Sequence, residues 1–213
     1  INPKYIYLVR RTIAMTQMKS NMDQDFSMLQ CQVAEGDTRA FRQIFDALFS
    51  NLAKFSYSFV QSKEAATEIV DELFVRLWTN KTHIIKINDL RVYLYTATKN
   101  ASLNYIAKKA KQIETEPYEN LHVQIADGAS PEQLMITKEM LQKIKQAIDG
   151  LPPRCKLIFK LVREDGLRYS EVAEILSLSV KTIDAQMVIA VSKIRESVKT
   201  AIETSRNNVF IKK

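Results

Sequence analysis

Apolar residues recur three and four positions apart along most of this chain, the period of a helix with one buried stripe. Phe41, Ile44, Phe45, Leu48, Phe49, Leu52 and Phe55 form one such stripe, inside a segment from about Asp25 to Val60 that reads as two helices. Ile69, Val70, Leu73, Phe74, Leu77 and Trp78 form the next. Glu68, Asp71, Glu72 and Arg76 lie on or beside its opposite face, together with one apolar residue, Val75. Thr79 to Leu90 breaks the period and reads as a loop. A further helix is expected from about Asp89 to Ala110, with Tyr93 inward beside Leu90, Leu94 and Ala97. A helix from Pro131 to Gly150 has Leu134, Leu141, Ile144 and Ile148 as its stripe, and one after Pro152-Pro153 has Ile158, Phe159, Leu161 and Val162. Neither Gly nor Pro occurs between Asp37 and Glu116, which favours continuous helices over hairpins. The pattern predicts an all-α protein.

The segment from Gly166 to Arg195 carries the most specific local pattern. Val172, Ala173 and Leu176 point one helix inward. The break falls at Ser177-Leu178-Ser179, where Ser179 is suited to cap a second helix by accepting from a free backbone N–H. Leu178 and Ile183 are placed for a hydrophobic staple. Val180, Ile183, Met187, Ala190, Val191 and Ile194 then share a stripe, and Lys181, Thr182, Ala185, Gln186 and Ile189 face away from it. This is the plan of a helix-turn-helix, whose second helix offers N-terminal side chains to base edges in the major groove. Lys181 suits guanine acceptors, Gln186 suits adenine, and Thr182 and Ala185 suit a thymine methyl. Two residues depart from the usual form. Ser177 stands where the turn commonly has Gly, so a left-handed backbone there costs roughly 1 kcal/mol. Arg168 stands where the first helix commonly has a Ser or Thr cap.

Composition and charge narrow the function classes. With 46% hydrophobic and 26% charged residues in 213 positions, the chain is long and apolar enough for one large or two small cores. The net charge of +7 favours an anionic partner such as nucleic acid. Between Arg91 and Ile113 there is no acidic residue, and Arg91, Lys99, Lys108, Lys109 and Lys111 are interleaved with Tyr93, Tyr95 and Tyr105. Bases on such a helix track phosphates and aromatic faces stack on exposed nucleobases. Gln112 to Glu139 reverses the sign, with Glu114, Glu116, Glu119, Asp127, Glu132 and Glu139 against Lys138, and reads as an acidic linker. Cys31 and Cys155 fit no metal or redox spacing and read as reduced thiols of a cytosolic protein. No apolar run reaches the length of a membrane span, and the first residues lack the pattern of a signal peptide. The chain begins at Ile1, so Met15, Met18 and Met22 are candidate starts unless residues lie upstream. His83 and His122 are isolated, and no nucleophile, base and orienter assemble into a catalytic set. No enzyme activity, cofactor or metal site is expected, and no small-molecule substrate.

Taken together, these stretches resemble a bacterial RNA polymerase sigma factor of the extracytoplasmic-function group, over roughly Asp25 to Lys199. The motifs S-P-E-Q-L at Ser130, A-I-D-G-L-P-P-R-C at Ala147, E-D-G-L-R-Y-S-E-V-A-E-I-L and S-V-K-T-I-D follow in that family's order and look like its fourth conserved region. A-T-E-I-V-D-E-L-F-V-R-L-W followed by Y-L-Y-T-A-T-K-N looks like its second region. The resemblance implies two small helical domains joined by the acidic linker: region 2 over residues 23–111, the linker over 112–130 and region 4, with the helix-turn-helix, over 131–200. Residues 1–22 are then a loose N-terminal extension and 201–213 a C-terminal tail. It implies that Glu68, Asp71, Glu72 and Val75 meet the clamp helices of core polymerase. It implies that the loop Thr79–Leu90 captures a flipped base of the minus-ten element, with Arg91, Tyr95, Lys99, Asn100, Asn104, Lys108 and Lys111 along the strand. Ser179, Lys181, Thr182, Ala185, Gln186 and Ile189 would read the minus-thirty-five element. The chain departs from the family pattern at Lys99, where Arg is common, at Asn104, where Asp is common, and at Ala107, where a base is common. The implied partners are core RNA polymerase and promoter DNA in the cytoplasm. Family members are often held inactive by an anti-sigma factor, which makes one a candidate partner.

Two other readings fit parts of the pattern. A free-standing helix-turn-helix regulator would bind operator DNA without polymerase, but it leaves the Tyr-bearing basic helix and its loop without a role. A helical adaptor would use the helix-turn-helix only as packing.

Overall fold

A computed structural model describes residues 26–113 and 135–210. No strand occurs among them. The helices are α1 (Phe26–Ala34), α2 (Thr38–Val60), α3 (Lys63–Thr79), α4 (Leu90–Ile113), α5 (Met135–Asp149), α6 (Pro153–Arg163), α7 (Tyr169–Leu176) and α8 (Val180–Phe210), with a 3₁₀ helix η1 at Lys81–Lys86. The all-α expectation therefore holds, and η1 gives regular structure to part of the segment read as a loop. The N-terminal extension and most of the acidic linker lie outside the described residues.

Helices α2, α3 and α4 start where the sequence supplies acceptors for unpaired N–H groups. Asp37 Oδ1 accepts from the N–H of Arg39 at 2.7 Å and of Ala40 at 3.3 Å. Ser62 Oγ accepts from Ala65 at 3.2 Å, and Asp89 Oδ1 from Val92 at 3.0 Å. Each such cap is worth about 1 kcal/mol. The α2 stripe then packs on α3 through aromatic rings. Phe74 lies 4.9 Å from Phe45 and 6.0 Å from Phe41, and Phe41 lies 5.0 Å from Trp78. Ile44, Leu52 and Val70 are fully buried beneath them. The helix α4 closes this unit against α2 and α3. At its close approach to α2 the small residues Ser56 and Ser102 share a buried hydroxyl–hydroxyl bond of 2.9 Å.

The second half is built on α8, against which α5, α6 and α7 all pack. Pro153 opens α6 at a position whose N–H has no helical acceptor, which a proline lacks without loss. Lys156 Nζ reaches the Asp149 carboxylate at 2.7 Å and ties the end of α5 to the start of α6. Ile158, Leu161, Val172, Ile175 and Ile183 form the core beneath. The backbone of α8 stays helical through residues 201–210, which the sequence assigned to a tail. No Gly or Pro follows Gly166, so nothing in the sequence stops the helix early.

Candidate nucleic-acid interface

The helix-turn-helix is present with the expected geometry. Helices α7 and α8 meet at 110°. Arg168 begins α7, and its N–H donates to the Glu171 carboxylate at 2.8 Å, so Glu171 supplies the reach-back half of a capping box. Ser177 ends α7 at φ 55°, ψ 49°, the left-handed conformation usually given to Gly. The Leu178 N–H donates to Ala173 O at 2.8 Å and the Ser177 N–H to Glu174 O at 3.1 Å, which is the Schellman ending of a helix. Ser179 caps α8, its Oγ accepting from the Thr182 N–H at 3.0 Å. Ile183, Met187 and Ala190 are buried, whereas Lys181, Ala185 and Ile189 are exposed and Thr182 and Gln186 half-exposed. Two positions differ from the expected stripe. Val180 is exposed because it lies in the first turn of α8, and Ile175, not assigned inward, is fully buried.

In the first half, the polar face of α3 and the segment after it enclose a groove of about 840 Å³ with α4. Glu68, Glu72 and Arg76 border it from α3, His83 from η1, and Asn100, Asn104 and Lys108 from α4. Glu72 and Arg76 pair across one helical turn at 3.0 Å. Asp71 is exposed on the same helix, and Val75 is 64% exposed. The groove wall at η1 is fixed from inside. The Gln30 amide Nε2, buried, donates to Ile84 O and to Ile87 O, both at 2.8 Å. Lys81 lies over the Trp78 ring at 5.0 Å, a cation–π contact.

The residues singled out on α4 do not form one surface. Positions 91, 95 and 99 are spaced by four and share one side of the helix, while 100, 104 and 108 lie half a turn round. Asn100, Asn104 and Lys108 line the groove. Arg91, Tyr95 and Lys99 instead face the second half of the molecule, where α4 packs on α7. The side chain of Lys111 lies outside the described residues. Tyr95 is 1% exposed, its ring edge-on to Phe55 at 5.2 Å, so a nucleobase cannot stack on it in this arrangement. The expected roles of the two tyrosines are exchanged, since Tyr93 is 45% exposed and borders the groove. The reason is that α4 has neighbours on several sides, α2, α3 and α7, so a single inward stripe does not describe it.

Comparison with known proteins gives these surfaces a family. The family model described as "Sigma-70 region 2" matches residues 44–112, and "Sigma-70, region 4" matches residues 141–194. The two together, in that order, span most of both halves. The chain belongs to the RNA polymerase sigma-70 factors, in their extracytoplasmic-function group. Such factors direct the polymerase to promoters. The sigma factor SigW of Bacillus subtilis is 27% identical over 163 residues, 73% of this chain and 87% of the relative. The sigma-E factor of Escherichia coli is 24% identical over 164 residues, 73% and 85% of the two chains. A solved structure of the sigma factor RpoE with the anti-sigma factor NepR from Bartonella quintana matches the fold with a TM-score of 0.56 and 18% identity, covering 76% of this chain and 98% of that one.

In this sigma factor the groove belongs to region 2 and the helix-turn-helix to region 4. Gln30, which holds the groove wall, was absent from the residues singled out in the sequence, although a signal existed. It sits at the spacing of Phe26, Leu29 and Val33, a polar residue on a buried stripe. Asp165, in the turn after α6, was missed as well. Burial raises its carboxyl to about 6, with Glu164 adding to the shift and Tyr95, Arg91 and Lys54 opposing it. The Tyr95 hydroxyl is pushed well above the usual tyrosine range, first by burial and then by the Asp165 charge. That hydroxyl has no hydrogen bond of good geometry, and Asp165 is the polar group set against it. Among the described residues no cluster of His, Cys, Asp and Glu is arranged to hold a metal, and no single helix is long and apolar enough to cross a membrane. Cys155 is buried and its thiol donates to Gln186 O at 3.3 Å, while Cys31 is exposed.

Proposed function

We propose that this sigma factor engages the transcription machinery through three surfaces. The exposed acids Glu68, Asp71 and Glu72, with Val75 among them, dock on the clamp helices of core polymerase. An acidic helix with a solvent-facing valine fits a basic partner that also covers an apolar spot. The groove beside it takes the non-template strand of the minus-ten element, with Asn100, Asn104 and Lys108 on the strand and the η1 segment holding a flipped base. Capture of the unstacked base offsets the few kcal/mol of flipping it and so helps melt the duplex. Lys181, Thr182, Ala185 and Gln186 read the minus-thirty-five element as duplex, with Ser179 and Ile189 flanking them. Arg91, Tyr95, Lys99 and Lys111 join the minus-ten surface when DNA is bound. The division into residues 23–111 and 131–200 around an acidic linker follows from the same reading. The chain works in the cytoplasm, where the polymerase is, and contributes no catalysis of its own. An anti-sigma factor is a further partner, by extension from the complex of the Bartonella factor.

The observation that carries this reading is the shared groove. Glu68 and Glu72 of the acidic face and Asn100, Asn104 and Lys108 of α4 border one cavity, so a clamp held at α3 delivers single-stranded DNA to α4. Run-off transcription with bacterial core polymerase and a genomic promoter library tests it. Specific transcripts are expected only with the factor present, and Glu72→Lys should abolish them while leaving the fold intact, since the Glu72–Arg76 pair is an exposed one worth under about 1 kcal/mol. Specific duplex binding without core, and no transcripts with it, would instead support a free-standing regulator.

A further inference from the structure

Among the described residues four polar side chains are buried: Gln30, Ser56, Thr98 and Ser102. The three hydroxyls belong to the contact of α2 with α4, where Thr98 and Ser102 donate to carbonyls of their own helix. Gln30 reaches a different target. Its Nε2 donates to Ile84 O and to Ile87 O, each at 2.8 Å. Both partners are acceptors, so only the nitrogen end of the amide can face them, and both of its hydrogens are used. Ile84 O also accepts from the Ile87 N–H at 3.1 Å, so the span from Ile84 to Ile87 is bonded to itself and to α1. Ile84 and Ile87 line the groove, together with Asn80 and His83. The ends of this wall are held locally. Asn80 closes α3, its N–H and its Nδ2 both donating to Arg76 O, at 3.0 and 3.1 Å, and Asp89 caps α4. Between those ends the wall is bonded to another element through Gln30. An apolar residue would continue the buried stripe of Phe26, Leu29 and Val33 without the desolvation that an amide costs. What the amide gains in return is a fixed wall.

We propose that Gln30 is a positioning residue for base capture: from inside region 2 it holds the η1 wall of the minus-ten groove where a flipped base fits. The inference rests on the reading of that groove as the minus-ten site, and it adds a residue that touches no DNA. A pocket formed before the base arrives has no ordering cost to meet at that moment. A wall free to move must be ordered first, and that cost reduces what capture returns against unstacking. Without the amide, Ile84 O and Ile87 O lose their buried donor, and η1 shifts toward water to replace it. The loss falls on the flipped base. Asn100, Asn104 and Lys108 stand on α4, whose position does not depend on this bond, so contacts elsewhere along the strand are kept.

The test separates positioning from plain stability. Holoenzyme made from the full chain and bacterial core polymerase is titrated with the non-template minus-ten strand of a promoter that it transcribes. A series of the same strand, each nucleotide in turn made abasic, is titrated alongside, and fluorescence anisotropy reads each affinity. In the wild type one position should show a large abasic penalty, the position of the captured base. Gln30→Met keeps the length of the side chain and removes both donors. It should reduce that one penalty by about tenfold, the scale of a lost buried donor, and leave the penalties at the other positions unchanged. Gln30→Asn keeps the amide on a stem one methylene shorter and should lie between, and it carries the comparison where Gln30→Met does not fold. A merely structural defect lowers every affinity by one factor and leaves all penalties as they were. That result, or no change at all, overturns the proposal while the promoter reading stands. No transcribed promoter, or no sensitive position in the wild type, overturns the capture reading and this proposal with it.

Discussion

Region 4 and region 2 each carry a surface proposed for nucleic acid, and the two are built differently. The proposed reading face of α8 is local. It is set by one cap, Ser179, one turn, Ser177, and one buried stripe, and all its members lie within a few turns of each other. The groove of region 2 is assembled from three successive elements, α3, η1 and α4, and is braced from a fourth, α1. Its wall depends on Gln30, more than fifty residues before Ile84 and Ile87, the carbonyls that it holds. A surface of the first kind fails by fraying at one end. A surface of the second kind fails when the packing behind it loosens, even though every residue facing DNA is untouched.

That contrast leads to predictions of decreasing size. The largest concerns the aromatic contact between α2 and α3. Phe74→Ala should destabilise region 2 by about 3–5 kcal/mol, and urea unfolding followed by circular dichroism should show region 2 melting well before region 4. A single unshifted transition would show that the two halves do not differ in this way. Next, Gln30→Leu fills the same space but leaves two carbonyls without their buried donor. A cost of about 2–3 kcal/mol is expected, with faster amide exchange around η1 and no change in the exchange of α8. Ser179→Ala should cost about 1 kcal/mol, confined to the first turn of α8, and the helix-turn-helix should keep its thermal midpoint within a few degrees. If Ser179→Ala hurts more than Gln30→Leu, the assignment of local and distributed surfaces is reversed.

The smallest effect is on pH. Burial in the folded chain raises the Asp165 carboxyl from 3.8 to about 6. Folding therefore binds a proton that the unfolded chain releases. The stability it contributes is full below about pH 4, is lost as pH rises through 6, and is level above that. Tyr95 and Arg91 on α4, Glu164 beside Asp165 and Lys54 on α2 are the charged or titratable groups around it. In urea unfolding the midpoint of the wild-type chain relative to Asp165→Asn should rise as pH falls from 7.5 to 5, and an unchanged difference would refute this.

Much of this was legible in the chain itself. The helices of region 4, the αL turn at Ser177 and the exposed set Lys181, Ala185 and Ile189 follow from spacing of three and four with a capping residue at the break. The acidic face of α3 followed in the same way, since α3 has one buried side. Helix α4 was not legible to that method. Leu90, Val92, Leu94 and Tyr95 are all buried, because partners surround the first turns of the helix, and a single stripe chose Tyr93 over Tyr95. Nor does periodicity show that Arg91, Tyr95 and Lys99 meet the second half, because their partners lie some seventy residues away and include the main-chain oxygens of Asp165 and Ile175. A main-chain acceptor carries no side-chain signature for a sequence to display.

The bond from Gln30 to η1 goes to main-chain oxygens and to no side chain. The shape of that segment is therefore independent of which residues it carries outward. Thr82, His83, Ile85 and Lys86 are exposed, and each is open to exchange without disturbing the clamp behind it. The frame is held from within, and its outward positions can change in chemistry without a change of shape.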